Sequence, residues 1–350
     1  MPGPSNRHND ARGDAANRFG AVIVAHARVD LACRCVQTLL RSVRPENVVV
    51  VINAPAQVKD PNGVAALARE VNVVSPSEPQ GYGANLNFGI RSLPPDLDFV
   101  LLSNDDVEFS HEWLRQVYGH FLAGPQVGMV GFTLLDADGA PLVSTSEFPT
   151  VLDALVRSVA FPTWMKRLVQ RVDGRLQKTR RLARRMAAPD GAVDWVIGAA
   201  MVVRRDAFLQ IGGFDEQFFL YFEETDLCNR LWARGWCVLT ATNASAVHLQ
   251  GQSTDGAEYR AAFHEARRTY LLKRVGLTRW LLLELLFPFA LALSLATLMG
   301  ALAKPSTFRD RIRAMRHSWS RRAFLRPPRR RLRGGPAGRQ SADTSHHRSW

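Results

Sequence analysis

The run "FVLLSNDDVEF" (Phe99 to Phe109) ends an apolar stretch on two adjacent carboxylates, Asp105 and Asp106. Like charges side by side are costly unless a cation or a solvated edge compensates them, so the pair predicts a bound partner at that point. A second acidic group, Glu223, Glu224 and Asp226, opens the stretch "EETDLCNRLWARG". Carboxylates placed there can accept a proton in general-base catalysis, or they can complement the positive end of a helix. Upstream of both, "EPQGYGANLNFGI" carries three glycines and two asparagines. Such glycines let backbone approach a ligand, and such amides donate to a phosphate or a sugar. An ordinary glycine-rich turn has the same composition, and the spacing is not the GxGxxG of dinucleotide-binding folds.

These residues need elements to hold them. "FGAVIVAHA" (19–27), "NVVVVINA" (47–54), "VNVVSP" (71–76) and "DFVLLSN" (98–104) are short apolar runs of the kind found in buried parallel strands. Helical spacing fills the gaps, in "DLACRCVQTLLRSV" and in the stretches around 63–70 and 83–93. The alternation predicts βαβ units: an α/β fold with a mostly parallel, Rossmann-like sheet flanked by helices. Ligands of such sheets bind beyond the carboxyl ends of the strands, where Asp105 and Asp106 fall. Farther on, Asp206 is expected to cap a short helix closed by Gly212, and a second helix should run from about 223 to 234 with Gly235 as its stop. Glu224, Leu227, Cys228 and Leu231 share one face of it.

Of the 350 residues 46% are hydrophobic, ample for a sizeable core, and the formal charge is +13. That charge is segregated. Residues 304–350 hold 14 Lys and Arg against 2 acids and residues 166–186 hold 9 against 1, which leaves an acidic body. Basic appendages without a reading element argue against nucleic acid and for an anionic membrane surface. Cys33, Cys35, Cys228 and Cys237 form neither zinc-like pairs nor a disulfide scaffold and read as buried thiols in a reducing compartment. The polar first 18 residues contain no apolar signal-peptide core, so residence on the cytoplasmic side is expected.

Taken in order, the first strand, "GYGANLNFGI", "NDDV", "GAAMVVRRDAF", "GGFDEQFFLYFEETDLCNRL" and "HLQGQST" resemble the inverting glycosyltransferases of family 2 with a GT-A fold, especially bacterial rhamnosyl- and galactofuranosyl-transferase-like members. The likeness runs from Phe19 to about Lys273. It implies metal-dependent transfer of a sugar, rhamnose- or galactofuranose-like, from a nucleotide-diphosphate donor to a lipid-linked or polysaccharide acceptor in cell-envelope synthesis. By this resemblance Asp106 and His248 hold Mg²⁺ or Mn²⁺, for which hard oxygen ligands beside phosphate are suited. Ala25, Asn53, Gly81, Asn85 and Asp105 lie against the nucleotide sugar, and Trp195, Glu223 and Asp226 face the acceptor. Glu224 stands where the family has the Asp of an "ED" pair, the general base. Two departures thin the expected contacts to a pyrimidine: Ala25-His26-Ala27 where relatives have Thr-Tyr-Asn, and Ile52-Asn53 where they have Asp-Asn. A nucleotidyltransferase, which also uses strand-end acids and a metal, and a catalytically degenerate membrane scaffold are the alternatives.

The segment "WLLLELLFPFALALSLATLMGALA" (280–303) has Glu284 as its single charge. One crossing would put the catalytic body and the basic tail on opposite sides, whereas both favour the cytoplasm. An in-plane or re-entrant segment on the cytoplasmic face of the membrane is therefore expected. The resulting division is a disordered 1–18, a GT-A domain over 19–275, an apolar membrane-associated segment over 276–303 and a basic, largely disordered tail over 304–350.

Overall fold

The computed structural model of the protein describes residues 17–150, 167, 171, 188–249 and 257–275. The expectations for residues 1–16, for the apolar segment and for the basic tail lie outside the described residues. Among the described residues no helix is long and apolar enough to cross a membrane.

The first half follows the predicted alternation. Strands β1 (Phe19–Ala25), β2 (Val48–Ile52), β3 (Asn72–Val74) and β4 (Phe99–Asn104) alternate with helices α1 (Val29–Leu39), α2 (Pro61–Glu70) and α3 (Tyr82–Arg91). Asp60 caps α2 by accepting from the Gly63 amide at 2.9 Å, with Pro61 at the first helical position, where its missing N–H costs nothing. The second half adds β5 (Val107–Phe109), α4 (Trp113–Ala123), β6 (Val127–Leu135), β7 (Thr145–Ser146), β8 (Trp195–Val196), β9 (Ala200–Arg204), α5 (Arg205–Gln210), α6 (Glu223–Ala233), β10 (Cys237–His248) and α7 (Ala257–Val275). Gly212 and Gly235, at φ of +79° and +85°, close α5 and α6 as expected. Asp206 does not cap α5. It sits inside the first turn, and Arg204 holds the cap position without a side-chain bond.

An eight-stranded sheet of order β3-β2-β1-β4-β9-β6-β10-β5 carries the fold, with β7 and β8 paired separately. The strands β3, β2, β1 and β4 are parallel, and so are β6 and β10. The parallel run is interrupted by β9, antiparallel to both β4 and β6, and is closed by β5, antiparallel to β10. Both faces of the sheet are covered. Phe19, Ile23, Leu101, Trp113 and Phe132 pack toward α1 and α4, while Val22, Leu86, Leu102, Met129 and Leu227 pack toward α3 and α6. This two-sided burial is why the strand sequences read as continuous apolar runs.

Two features of this frame position the site. Parallel registry sets Val24 beside Asn104, so β1 and β4 end together and Asp105 and Asp106 emerge at the shared carboxyl edge. The register of β10 on β6 slips between Ala241 and Ser245, and beyond the slip β10 pairs with β5, setting His248 opposite Val107. A slip of this kind raises local twist and re-aims the side chains beyond it.

Helix α3 lies close to the sheet because position 89 is glycine: a Cβ there would run into Val22 and Val51. For Gly89→Ala the gain in helix propensity is at most about 1 kcal/mol, and overpacking costs about 1–3 kcal/mol. Strain should win. The variant is expected to unfold at lower denaturant concentration than the parent, with an unchanged m-value.

Candidate active site

At the end of β4 the Asp106 carboxylate is buried, and its Oδ1 finds no hydrogen-bond partner among the described residues. It nevertheless lies 3.2 Å from Nε2 of His248, whose Nδ1 is likewise unpartnered. The pairing of β5 with β10 makes this approach, and the Leu249 amide donating to the Asp106 carbonyl at 3.0 Å extends it. A buried carboxylate oxygen and an imidazole nitrogen at this separation, without hydrogen-bond geometry, are a fitting donor pair for a divalent cation of the Mg²⁺ or Mn²⁺ type. Among the described residues no group of three or more His, Cys, Asp or Glu could hold a metal, so further oxygen ligands would have to come from elsewhere. Burial and the neighbouring Asp106 push Asp105 up to about 7, against the opposing pull of the Asp105 and His26 amides and of Arg28. The adjacent acids thus carry the mutual penalty that their sequence implies.

The glycine-rich loop is tied down by its own side chains. Asn53 donates from Nδ2 to the Gln80 carbonyl at 3.0 Å and accepts from the Gln80 amide at 2.8 Å, and its own amide donates to the Ala25 carbonyl. Asn85, fully buried, donates to the Gly81 carbonyl at 3.0 Å and keeps an unpartnered Oδ1. A Cβ at Gly81 would meet the Phe219 carbonyl oxygen at 2.6 Å. That glycine therefore admits the loop before α6, and the Tyr82 amide donates to the same carbonyl at 2.8 Å. One turn on, Asn87 brackets Phe214, donating to its carbonyl and accepting from its amide.

The loop reaches α6 through Tyr221 and Phe222, both left-handed at φ of 71° and 68°. Bulky residues rarely hold this conformation, and it persists only where the surroundings over-determine it. Here α7 does so: Phe263 packs on both rings and Tyr270 on Phe222. Lys273 pairs with Asp215 and lies 5.2 Å from the Phe218 ring centre.

Three acids follow on the first turn, and their fates differ. Asp226 accepts from Arg230 at 2.6 Å, and Arg230 also donates to the carbonyls of Ile211 and Gly213. That carboxylate holds the loop rather than facing the cleft. Glu223 and Glu224 are buried, each with an unpartnered Oε2. Burial first, and then Glu224, drive Glu223 well above the ordinary carboxylate range. Burial raises Glu224 to about 7, restrained by the amides of Glu224 and Thr225. Trp195 is half-buried, its indole N–H donating to the Glu147 carbonyl at 3.0 Å.

Tyr82 joins the two acidic groups. Its hydroxyl donates to the Gly198 carbonyl at 2.8 Å, and a Cβ at Gly198 would lie 3.6 Å from both the Tyr82 ring and Glu224. Burial raises the phenol well above its usual range, and Glu223, Glu224, Asp106 and Asp105 all push it the same way. Four carboxylates from two distant stretches of the chain therefore act on one buried phenol.

The family model described as "Glycosyltransferase like family 2" matches residues 16–270. The chain belongs to that family. It is 29% identical over 205 residues to N-acetylglucosaminyl-diphospho-decaprenol L-rhamnosyltransferase of Mycobacterium tuberculosis, a match covering 55% of this chain and 64% of the relative. It is 26% identical over 162 residues to rhamnosyltransferase WbbL of Escherichia coli strain K12, covering 44% of this chain and 55% of the relative. The matches thus span less than two thirds of these curated relatives. A mannosyltransferase from Pyrobaculum calidifontis, solved in complex with GDP-Man and Mn²⁺, shares the fold at a TM-score of 0.51 and 14% identity, over 88% of this chain and 85% of that one.

Within this family 2 chain, the structure brings Asp105, Asp106 and His248 to one edge and sets Glu223 and Glu224 around the same tyrosine. Two residues escaped the reading of the sequence. The Tyr82 side chain was hidden inside a motif read for its glycines, whereas Arg230, at i+4 from Asp226, was legible as a helix ion pair.

Proposed function

We propose that the protein is a metal-dependent inverting glycosyltransferase. It moves a sugar, rhamnose- or galactofuranose-like, from a nucleotide-diphosphate donor to a lipid-linked or polysaccharide acceptor in cell-envelope synthesis. The observation that carries this reading is the convergence of the Asp106 and His248 pair and the Glu223 and Glu224 pair on Tyr82. The names of the Mycobacterium and Escherichia relatives support rhamnose and, for the former, a decaprenol-linked acceptor.

Asp106 and His248 would hold the cation, Mn²⁺ or Mg²⁺, which when bound supplies Lewis-acid charge against the donor diphosphate. Asp105, the Ala25 edge and the loop at Gly81 line the donor side; Asn53 acts by holding that loop, and Asn85 offers its free Oδ1. On the other side, Glu224 accepts the proton of an acceptor hydroxyl. The acceptor oxygen then bonds to the anomeric carbon as the bond to the diphosphate breaks, and the electron pair leaves with the nucleoside diphosphate. A single displacement inverts the centre. Trp195 and Glu223 orient the acceptor.

The same reading places the protein on the cytoplasmic face of the membrane. Phe219 and Phe263, exposed at 47% and 41%, flank the corner before α6. They suit an acceptor presented at an apolar surface, to which residues 280–303 and their basic flanks would anchor the chain.

Four measurements check this proposal. Calorimetry with Mn²⁺ should show metal-dependent binding of a nucleoside diphosphate that Asp106→Ala removes and His248→Ala weakens less, because water replaces a lost ligand; equal binding in Asp106→Ala rejects the assignment. Glu224→Gln should lower turnover by about 10²–10⁴-fold at unchanged donor affinity. Because Glu224 ionises near 7 and acts as a base, turnover of the parent should fall as pH drops below about 7, by roughly tenfold per unit. In flotation assays with anionic vesicles, truncation after Arg279 should release the protein, and equal flotation of both forms would refute the anchor.

A further inference from the structure

We infer that Glu223 keeps its carboxyl proton throughout turnover and donates it in a hydrogen bond to an acceptor hydroxyl oxygen, so that of the two buried glutamates at the head of α6 Glu224 alone is ionised. The inference rests on the reading of Glu224 as the base and names the chemistry of its neighbour.

The geometry provides one cation for three acids. Arg230 is the basic partner of the first turn, and it is committed to Asp226 and to two loop carbonyls. Glu223 is 3% exposed, and its Oε2 meets no donor among the described residues. Among the described residues it meets Glu224 on its own helix and Tyr82 from α3, a phenol that Asp105 and Asp106 also push upward. The Tyr82 hydroxyl cannot compensate it, because its proton is given to the Gly198 carbonyl. From α7, Phe222 receives the rings of Phe263 and Tyr270, and the same helix carries the buried Arg267 and Arg268.

Two buried like charges whose Oε2 atoms meet no donor among the described residues do not both ionise, and one proton is retained between them. Backbone amides decide which carboxyl keeps it. Those of Glu224 and Thr225 favour the ionised form of Glu224, whereas Glu223 is served by its own amide and is opposed by Glu224. A protonated carboxyl has an O–H to give. Sugar hydroxyls are the complementary class: one hydroxyl surrenders its proton to Glu224 while the oxygen of another accepts from Glu223. A site built to hydrogen-bond a hydroxyl strongly rejects an acceptor that lacks it, so Glu223 would act in acceptor selection as well as in positioning.

The test is infrared spectroscopy of the full chain at about pH 8.5, well above the ordinary carboxylate range, where Asp105 and Glu224, each raised to about 7, are ionised. The carbonyl band of a protonated carboxyl should be present in the parent and absent in Glu223→Gln. No band in the parent overturns the inference even if Glu223→Gln fails to fold, and so does a band that survives in a folded Glu223→Gln. Turnover on a panel of UDP-, GDP- and dTDP-linked sugars with membrane extract supplies the second arm. Glu223→Gln, which retains an N–H donor, should keep activity within about tenfold and leave the acid limb of the pH profile in place. A limb displaced to lower pH by about one unit would mean that a negative charge had been removed, and so would overturn the inference. Normal turnover of Glu224→Gln would instead unseat the base assignment without touching the infrared result.

Discussion

The hydrogen bond from the Tyr82 hydroxyl to the Gly198 carbonyl couples the two halves of the cleft. On one side stand β1, β4 and the loop tied by Asn53 and Asn85; on the other, β9 and α6. Gly198 leads into β9, which lies antiparallel against β4, and the Asn104 amide donates to the Ala199 carbonyl just where the acidic pair begins. The tyrosine thus spans from the helix that follows the glycine-rich loop to the strand end that abuts Glu224. The Tyr82 phenol is buried beside both sets of carboxylates, and low polarity strengthens every charge interaction there.

Concentrating Asp105, Asp106, Glu223 and Glu224 around one phenol works against folding, since burial raises three of these acids out of their ordinary range. Natural chains keep such conflicts at functional sites and offset them elsewhere. The offset here is the paired periphery: Arg230 with Asp226, Lys273 with Asp215, the aromatic contacts of α7, and a core covered on both faces of the sheet.

Much of this was legible because burial on both sides writes itself into composition. β1, β2 and β4 stood out as unbroken apolar runs, and Gly212 and Gly235 marked helix ends through the positive φ that succeeds a helix. The antiparallel insertion of β9 was not legible, because "AMVVR" is equally good in either direction and only its neighbours fix its sense. Nor was the slip in β10 that turns His248 toward Asp106. The left-handed Tyr221 and Phe222 gave no local signal at all, since aromatic residues do not mark positive φ and the conformation is imposed by α7. Asp206 was misplaced by one or two positions, the usual uncertainty of a helix start.

The short pairing of β7 with β8 sets Ser146 beside Trp195, so the chain from Glu147 to Asp194 departs and returns through a closed gate. Closing a loop whose ends are fastened this way costs entropy that grows slowly with its length. Each doubling of its length adds only about 0.6 kcal/mol of closure entropy. The stretch rich in Lys and Arg at 166–186 lies inside that segment. Fastened ends of this kind make the length of what lies between them cheap to change.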